Sequence, residues 1–250
     1  MTRLSSVAPF VAPFIARLVA PLALATAVVA CSSDGPNFGP EKDPTPAQQT
    51  AFTATAQQLG ALASAGTQGQ AAGQAAISLA VGAQAMTSTS AALPPGAPTI
   101  EEVARHLVIG ASAIGDCGVV SSDRVVWTRC TDGSGYTIDG SISWSANHVA
   151  MDVHVDANLG GTQLTYAFTG SVSTSPGAIT MDMSVAANIT SGTTKLDVNL
   201  HANADVHVTD GCVTSGTYTV TASTSGASSR NAAVQIVWTG CNAFRVRTSA

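Results

Sequence analysis

Tyr136–Leu159, YTIDGSISWSANHVAMDVHVDANL, recurs without a gap at Tyr166–Ile189 as YAFTGSVSTSPGAITMDMSVAANI. Ten of the twenty-four aligned pairs are identical, among them Tyr136/Tyr166, Gly140/Gly170, Met151/Met181, Asp152/Asp182 and Asn158/Asn188. A fainter third copy starts at Tyr218, where YTVTASTS echoes YTIDGSIS, so each of the three tyrosines opens one unit. Within a copy, apolar residues occupy every second position, which is the period of a strand with one buried face. Two strands per copy, joined by Ala146-Asn147 or Pro176-Gly177, make a hairpin, and repeated hairpins make a meander.

Outward from the repeat, the same alternation continues. On the N-terminal side, a short strand at Val119-Val120 turns at Ser122-Asp123 into Arg124–Thr131, and Asp132-Gly133 turns into the first copy. On the C-terminal side, Leu196, Val198, Leu200, Ala202, Ala204, Val206 and Val208 alternate with Lys195, Asp197, Asn199, His201, Asn203, Asp205 and His207. Asp210-Gly211 leads to a strand with Tyr218 and Val220 inward. Val234, Ile236 and Trp238 follow, and Phe244–Val246 closes the chain. The expectation is a mainly β protein with N-terminal α structure: an antiparallel up-and-down meander of eight or nine strands with a helix packed on it. A sheet this large must twist and curl. Three shapes satisfy the pattern: an open, curved half-barrel, a closed soluble barrel, and a barrel with its apolar face outward in the outer membrane.

The helix expected to pack on the sheet begins at Thr99. Thr99-Ile100-Glu101-Glu102 has the capping-box spacing, and the pattern carries a helix from Ile100 to Ile114 with Val103, Leu107 and Ile114 buried. Upstream, residues 47–98 are rich in Ala and Gln. Ala47–Ala65, with Phe52, Leu59 and Leu62 on one side, and Ala71–Met86, with Ile77, Leu79 and Val81, suit helices by propensity. Their large apolar anchors are sparse, so docked helices and a loose or disordered stalk are both open. Residues 99–250 form the helix-plus-meander domain.

The first thirty residues have the form of a targeting segment. Arg3 and Arg17 supply positive charge, and Leu18–Ala30 is an uncharged apolar run too short to span a bilayer comfortably. It ends in Val28-Val29-Ala30-Cys31, which resembles the bacterial lipobox. The resemblance covers residues 28–31 only. It implies a lipoprotein signal peptide over residues 1–30, cut before Cys31, and acylation of Cys31, which would tie the chain to a membrane. The rule for the residue after the cysteine, Ser32 here, then favours the outer membrane. The other reading is an ordinary signal peptide with an incidental cysteine. Residues 31–46, rich in Pro, Gly and Asp, read as a flexible tether.

Composition narrows the function. Charged residues make up only 10% of the chain, and the formal net charge is −5. Without Arg3 and Arg17, eight basic residues face fifteen acidic ones, a balance opposed to a nucleic-acid partner. No G-x-S-x-G, H-E-x-x-H, phosphate-binding or dinucleotide-binding motif is present. Ser134 is a turn residue, and His106 sits on the capped helix. No catalytic residue, metal ligand set or cofactor is assigned, and the chain reads as non-enzymatic.

Asp152, His154 and Asp156 share a face with Asp182, Asp197, His201, Asp205 and His207. Side chains two apart on a strand stand about 6.5–7 Å apart, and His154 and His201 are about 14 Å apart across two intervening strands. One metal ion cannot bridge that span, so a solvated face is the reading. Cys117, Cys130, Cys212 and Cys241 are an even set in an exported chain and lack C-x-x-C spacing, so disulfides rather than zinc are expected. Three pairings are open; antiparallel geometry favours Cys117–Cys130 and Cys212–Cys241. Arg124, Arg129, Arg245 and Arg247 lie at the two ends of the domain. In a closed barrel they would form a basic seam; in an open sheet they guard its edges.

Two functional classes remain. One is a structural or interaction lipoprotein whose partner is another envelope protein. The other is a carrier of a lipid or other apolar ligand, with Met151, Phe168, Met181 and Met183 lining a cavity. In outline, the carrier looks like the half-barrel lipoproteins and lipoprotein carriers of bacterial envelopes, without a shared motif.

Overall fold

The computed structural model describes residues 36–65, 70–87, 97–107, 118–131, 133, 135–226, 229–241 and 243–249. Ten strands form one antiparallel sheet in chain order. They are β1 (Gly118–Val120), β2 (Arg124–Thr131), β3 (Tyr136–Trp144), β4 (His148–Leu159), β5 (Thr162–Ser175), β6 (Ala178–Ser191), β7 (Thr194–Thr209), β8 (Cys212–Gly226), β9 (Arg230–Gly240) and β10 (Ala243–Thr248). The up-and-down meander expected from the alternation is thus present. Among the described residues β1 and β10 do not pair with each other, so the sheet is open rather than a closed barrel.

The register places every apolar set of the alternation on one face. On β7, positions 196 to 208 alternate buried and non-buried without a break. Tyr136, Ile138, Ile142 and Trp144 on β3 and Leu164, Tyr166, Phe168 and Val172 on β5 are all buried. A slip of one residue would put this whole set in water, and for a fully buried aliphatic or aromatic side chain that costs about 1.5–3 kcal/mol each.

The repeated glycines explain how the sheet bends. Gly140 and Gly170 lie in mid-strand with φ of 120° and 136°. A Cβ on Gly140 would stand 2.1 Å from the Asp152 carbonyl oxygen, and one on Gly170 would stand 2.2 Å from that of Asp182. Only glycine accepts this backbone and this approach of the next strand, the arrangement by which sheets are made to curve. At one strand end, Asp210 and Gly211 have φ of 51° and 74°, as a two-residue turn matching the twist of its strands requires.

Helices cover the apolar face. α1 (Pro46–Ala65) and α2 (Gln70–Thr87) pack on each other; α1 touches β5, β6 and β8, and α2 crosses β3 to β9. Phe52, Leu59 and Leu62 of α1 and Ile77 and Leu79 of α2 are buried. Of the two readings of this stretch, the docked helices are the ones found over residues 46–65 and 70–87. Few large side chains suffice because alanines and glycines let the backbones come close. A Cβ on Gly60 of α1 would stand 2.0 Å from the Gly211 carbonyl oxygen.

The capping box at Thr99 is formed. The Glu102 amide donates to Thr99 Oγ1 at 3.2 Å, and the Thr99 amide donates to Glu102 Oε2 at 2.7 Å. It opens α3 (Ile100–Ala104), which tightens into a 3-10 turn at Arg105–Leu107. Val103 and Leu107 are buried as expected; the continuation to Ile114 lies outside the described residues.

Candidate functional site

The inner face gathers the residues expected to line an apolar cavity. Phe168 is 0% exposed, Met183 1%, Met181 2% and Met151 3%, all in one cluster with Phe52, Leu59, Ile77 and Leu79 of the helices. Tyr166 stacks on Phe168 with ring centroids 6.4 Å apart. Two of the repeat tyrosines tie the sheet to the layer above it. Tyr166 Oη donates to the Pro98 carbonyl at 2.8 Å, and Tyr218 Oη donates to the Leu79 carbonyl at 3.4 Å. Burial pushes the pKa of both phenols well above the usual tyrosine value; Tyr136 and Glu102 add to the effect at Tyr166.

The outer face carries the polar set. His201 Nε2 meets Asp182 Oδ1 at 2.9 Å across the β6–β7 pair, and His154 Nε2 lies 3.3 Å from Asp152 Oδ1 on β4. His148 Nδ1 meets Ser173 Oγ at 2.9 Å, and Thr165 Oγ1 donates to Asp156 Oδ1 at 2.9 Å. These contacts are short-range and solvated: Asp182 is 67% exposed. A shallow depression of about 280 Å³ lies mid-face, lined by Ser171, Thr180, Met181, Asp182, Asn203, Ala204 and Asp205. Asp197, Asp205 and His207 share the face without joining one centre. Among the described residues, no three His, Cys, Asp or Glu side chains converge as metal ligands.

Cys212 and Cys241 are disulfide-bonded, with Cα atoms 5.6 Å apart. Closing a loop with a sequence separation of 29 restricts the unfolded chain by about 3–4 kcal/mol. Cys130 is also disulfide-bonded; its expected partner Cys117, like Cys31, the leader and Ser134, lies outside the described residues. So does the side chain of His106. Among the described residues, no helix is long and apolar enough to cross a membrane, which leaves strands aside.

The feature missed in the sequence is a strap along β10. The stretch expected to be a free tether is held from Phe38 onward. Phe38 pairs with Ser249 and Lys42 with Val246 in antiparallel bridges. Gly39 N donates to Thr248 O at 3.0 Å, and Lys42 and Val246 exchange backbone hydrogen bonds of 2.9 and 3.0 Å. Glu41 pairs with Arg247 at 2.7 Å, and Asp43 pairs with Arg245. Arg245 and Arg247 therefore hold a covering segment over a sheet edge, and no seam joins them to Arg124 and Arg129 in the open sheet. The signal was available: acids at 41 and 43 match bases at 245 and 247 in the two-residue period of an antiparallel pair.

Comparison with known proteins returns no match: no protein-family model, no curated protein and no solved structure matches the chain.

Proposed function

We propose that this chain is a bacterial envelope lipoprotein, held on the outer membrane through acylated Cys31. Its domain acts as a non-enzymatic structural or interaction module. The observation that carries the reading is the cover on the inner face. The chain's own α1 and α2 lie on the apolar side of the sheet, with Met151, Phe168, Met181 and Met183 buried beneath or beside them. What is left to meet a partner, here another envelope protein, is the polar outer face. The lipobox-like ending of the leader supports the anchor, and two or three acyl chains on one residue suffice for stable membrane attachment.

The carrier reading keeps one observation in its favour. Much of the cover is small: Ala56, Ala72, Ala76, Ala80 and Ala83 are among its buried residues, and such helices lose less contact on lifting than Leu-rich ones.

One preparation tests both. The full chain is expressed in a Gram-negative host, with Cys31→Ser beside it, and fractionated; the wild type should follow the membranes and the variant should not. Residues 32–250, purified without detergent, are then extracted for mass spectrometry. Absence of bound lipid supports the interaction module, and stoichiometric lipid replaces it with the carrier. Wild-type protein that leaves with the soluble fraction sinks the anchor.

A further inference from the structure

We infer that the outer margin of β10 is a docking strip for an extended acidic segment of a partner protein, and that the strap holds the strip until such a segment takes its place. The inference gives the interaction module proposed above a site and a partner chemistry. It does not depend on the anchor at Cys31.

The strap shows what the strip accepts. Lys42 pairs with Val246, Glu41 meets Arg247 and Asp43 meets Arg245. Two arginines at this spacing on one strand face select carboxylates at the same spacing on an antiparallel neighbour. In a strand added to a sheet edge, backbone hydrogen bonds supply affinity and alternate side chains supply specificity.

The strap is an imperfect occupant. Lys42 turns both its amide and its carbonyl to Val246, so strand alternation directs residues 40 and 44 the same way. Both are prolines, which have no N–H to donate. At Pro40 the strap slips: Phe38 and Lys42 are four residues apart, whereas their partners Ser249 and Val246 are three apart. Gly39, not residue 40, then supplies the amide for the Thr248 carbonyl. Opposite Phe244, Pro44 has no amide to offer. Lys42 also sets a charge beside buried Val246, at the margin of the apolar face, which is unfavourable for continuing that face. The ion pairs leave capacity unused as well. Arg247 engages Glu41 through Nη2, while its buried Nε has no hydrogen-bond partner among the described residues. A carboxylate that takes both nitrogens makes the stronger, bidentate pair. Asp43 is 85% exposed, so its pair with Arg245 is weak. An acidic strand without these prolines, and with an apolar residue in place of Lys42, satisfies β10 better at each point.

The strap is also separable from the layer it leads into. α1 has its own start: the Thr45 amide donates to Gln48 Oε1 at 2.9 Å, and the Gln48 amide donates to Thr45 Oγ1 at 3.3 Å. Release of residues 38–43 breaks neither bond.

The test uses the full chain in mild detergent and a fluorescein-labelled peptide of residues 36–45 carrying Pro40→Thr, Lys42→Val and Pro44→Thr. The tethered strap competes at an effective concentration of about a millimolar, so wild type should bind the peptide weakly. Glu41→Gln with Asp43→Asn in the protein loosens the strap and should tighten binding about tenfold. Adding Arg245→Gln and Arg247→Gln to that variant should lose the gain. In amide spectra of the 15N-labelled protein, saturating peptide should free the Lys42 amide for exchange and leave that of Val246 protected, and the same spectra report that each variant is folded. No binding to the loosened variant at millimolar peptide overturns the docking strip. So does binding that ignores both arginines or leaves Lys42 protected. A loosened variant that dimerises and takes no peptide makes the strap a guard against a second copy, which overturns it too. The lipid extraction above is independent of all these outcomes, so the docking strip and the interaction module fail separately.

Discussion

The two faces of the same sheet are written in alternate residues of the same strands, yet they obey different rules. On β5, Phe168 is fully buried, whereas its neighbour Thr169 is only partly covered. The inner face is specified by shape: ring on ring, a glycine where the next strand must approach, a phenol reaching a carbonyl of the covering layer. The outer face is specified by little more than polarity. Its His–Asp and Thr–Asp contacts join exposed partners, and such pairs contribute about 0–1 kcal/mol. The register is thus held by one face, which leaves the other free to vary with whatever it meets.

The largest expected contrast comes from substituting adjacent residues. Phe168→Ala should cost about 3–5 kcal/mol, since the aromatic is fully buried and a cavity is left behind. Thr169→Ala should change stability by less than about 0.5 kcal/mol. Urea unfolding of the two variants measures both, and comparable losses would erase the distinction between faces.

A smaller effect tests how tightly the cover is seated. In an isolated helix, Gly60→Ala would gain about 1 kcal/mol of helix propensity. Here the new Cβ would collide with the Gly211 carbonyl at 2.0 Å. Gly211 adjoins Cys212, which is bonded to Cys241, so the turn has little room to yield. The clash should win, for a net loss of about 1–3 kcal/mol. Faster proteolysis within residues 46–65 would locate the loss in α1, and a stabilised variant would mean that the helix sits more loosely than this contact requires.

The inner face should also respond to alkali. Neutral phenol is the form favoured by burial at Tyr166 and Tyr218. Their pKa values are raised on folding, so their contribution is complete below the unfolded value of about 10 and is lost as pH rises above it. Each adds about 1.4 kcal/mol of lost stability per pH unit in that range. Comparing wild type with Tyr218→Phe at pH 9 and 11 isolates one share; the variant should have the shallower slope, and identical slopes would mean that the phenol is not shielded.

The meander was legible because period-two alternation is a property of single strands and survives without knowledge of neighbours. The capping box and the Cys212–Cys241 pairing were legible for the same reason, since each depends on local or nearest-strand geometry. The docking of α1 and α2 was not, because an Ala-rich helix looks alike whether it packs on a sheet or stands free; what decides is the complementary surface. Gly60 against Gly211 is such a match, between residues of no distinctive pattern. The strap was missed because Pro and Gly around residues 36–46 signal irregular chain, while its partner strand lies some two hundred residues away. At the outer face, the sequence showed that Asp152, His154 and Asp182 share a side and that spacing opposes one metal centre. What such a face binds depends on a partner's shape, which no period encodes.

The smallest expected effect bears on the outer face itself. Asp182→Asn removes the carboxylate that meets His201 and edges the shallow depression. Both partners are open to solvent, so water replaces the lost contact, and the amide keeps an acceptor oxygen in place. The change in unfolding free energy should stay below about 0.5 kcal/mol. A loss several times larger would make Asp182 part of a network that holds β6 to β7, and the polar face would then share the structural work of the apolar one. A small loss leaves the face energetically idle in the folded domain, so that any cost of altering it would appear only where a partner binds.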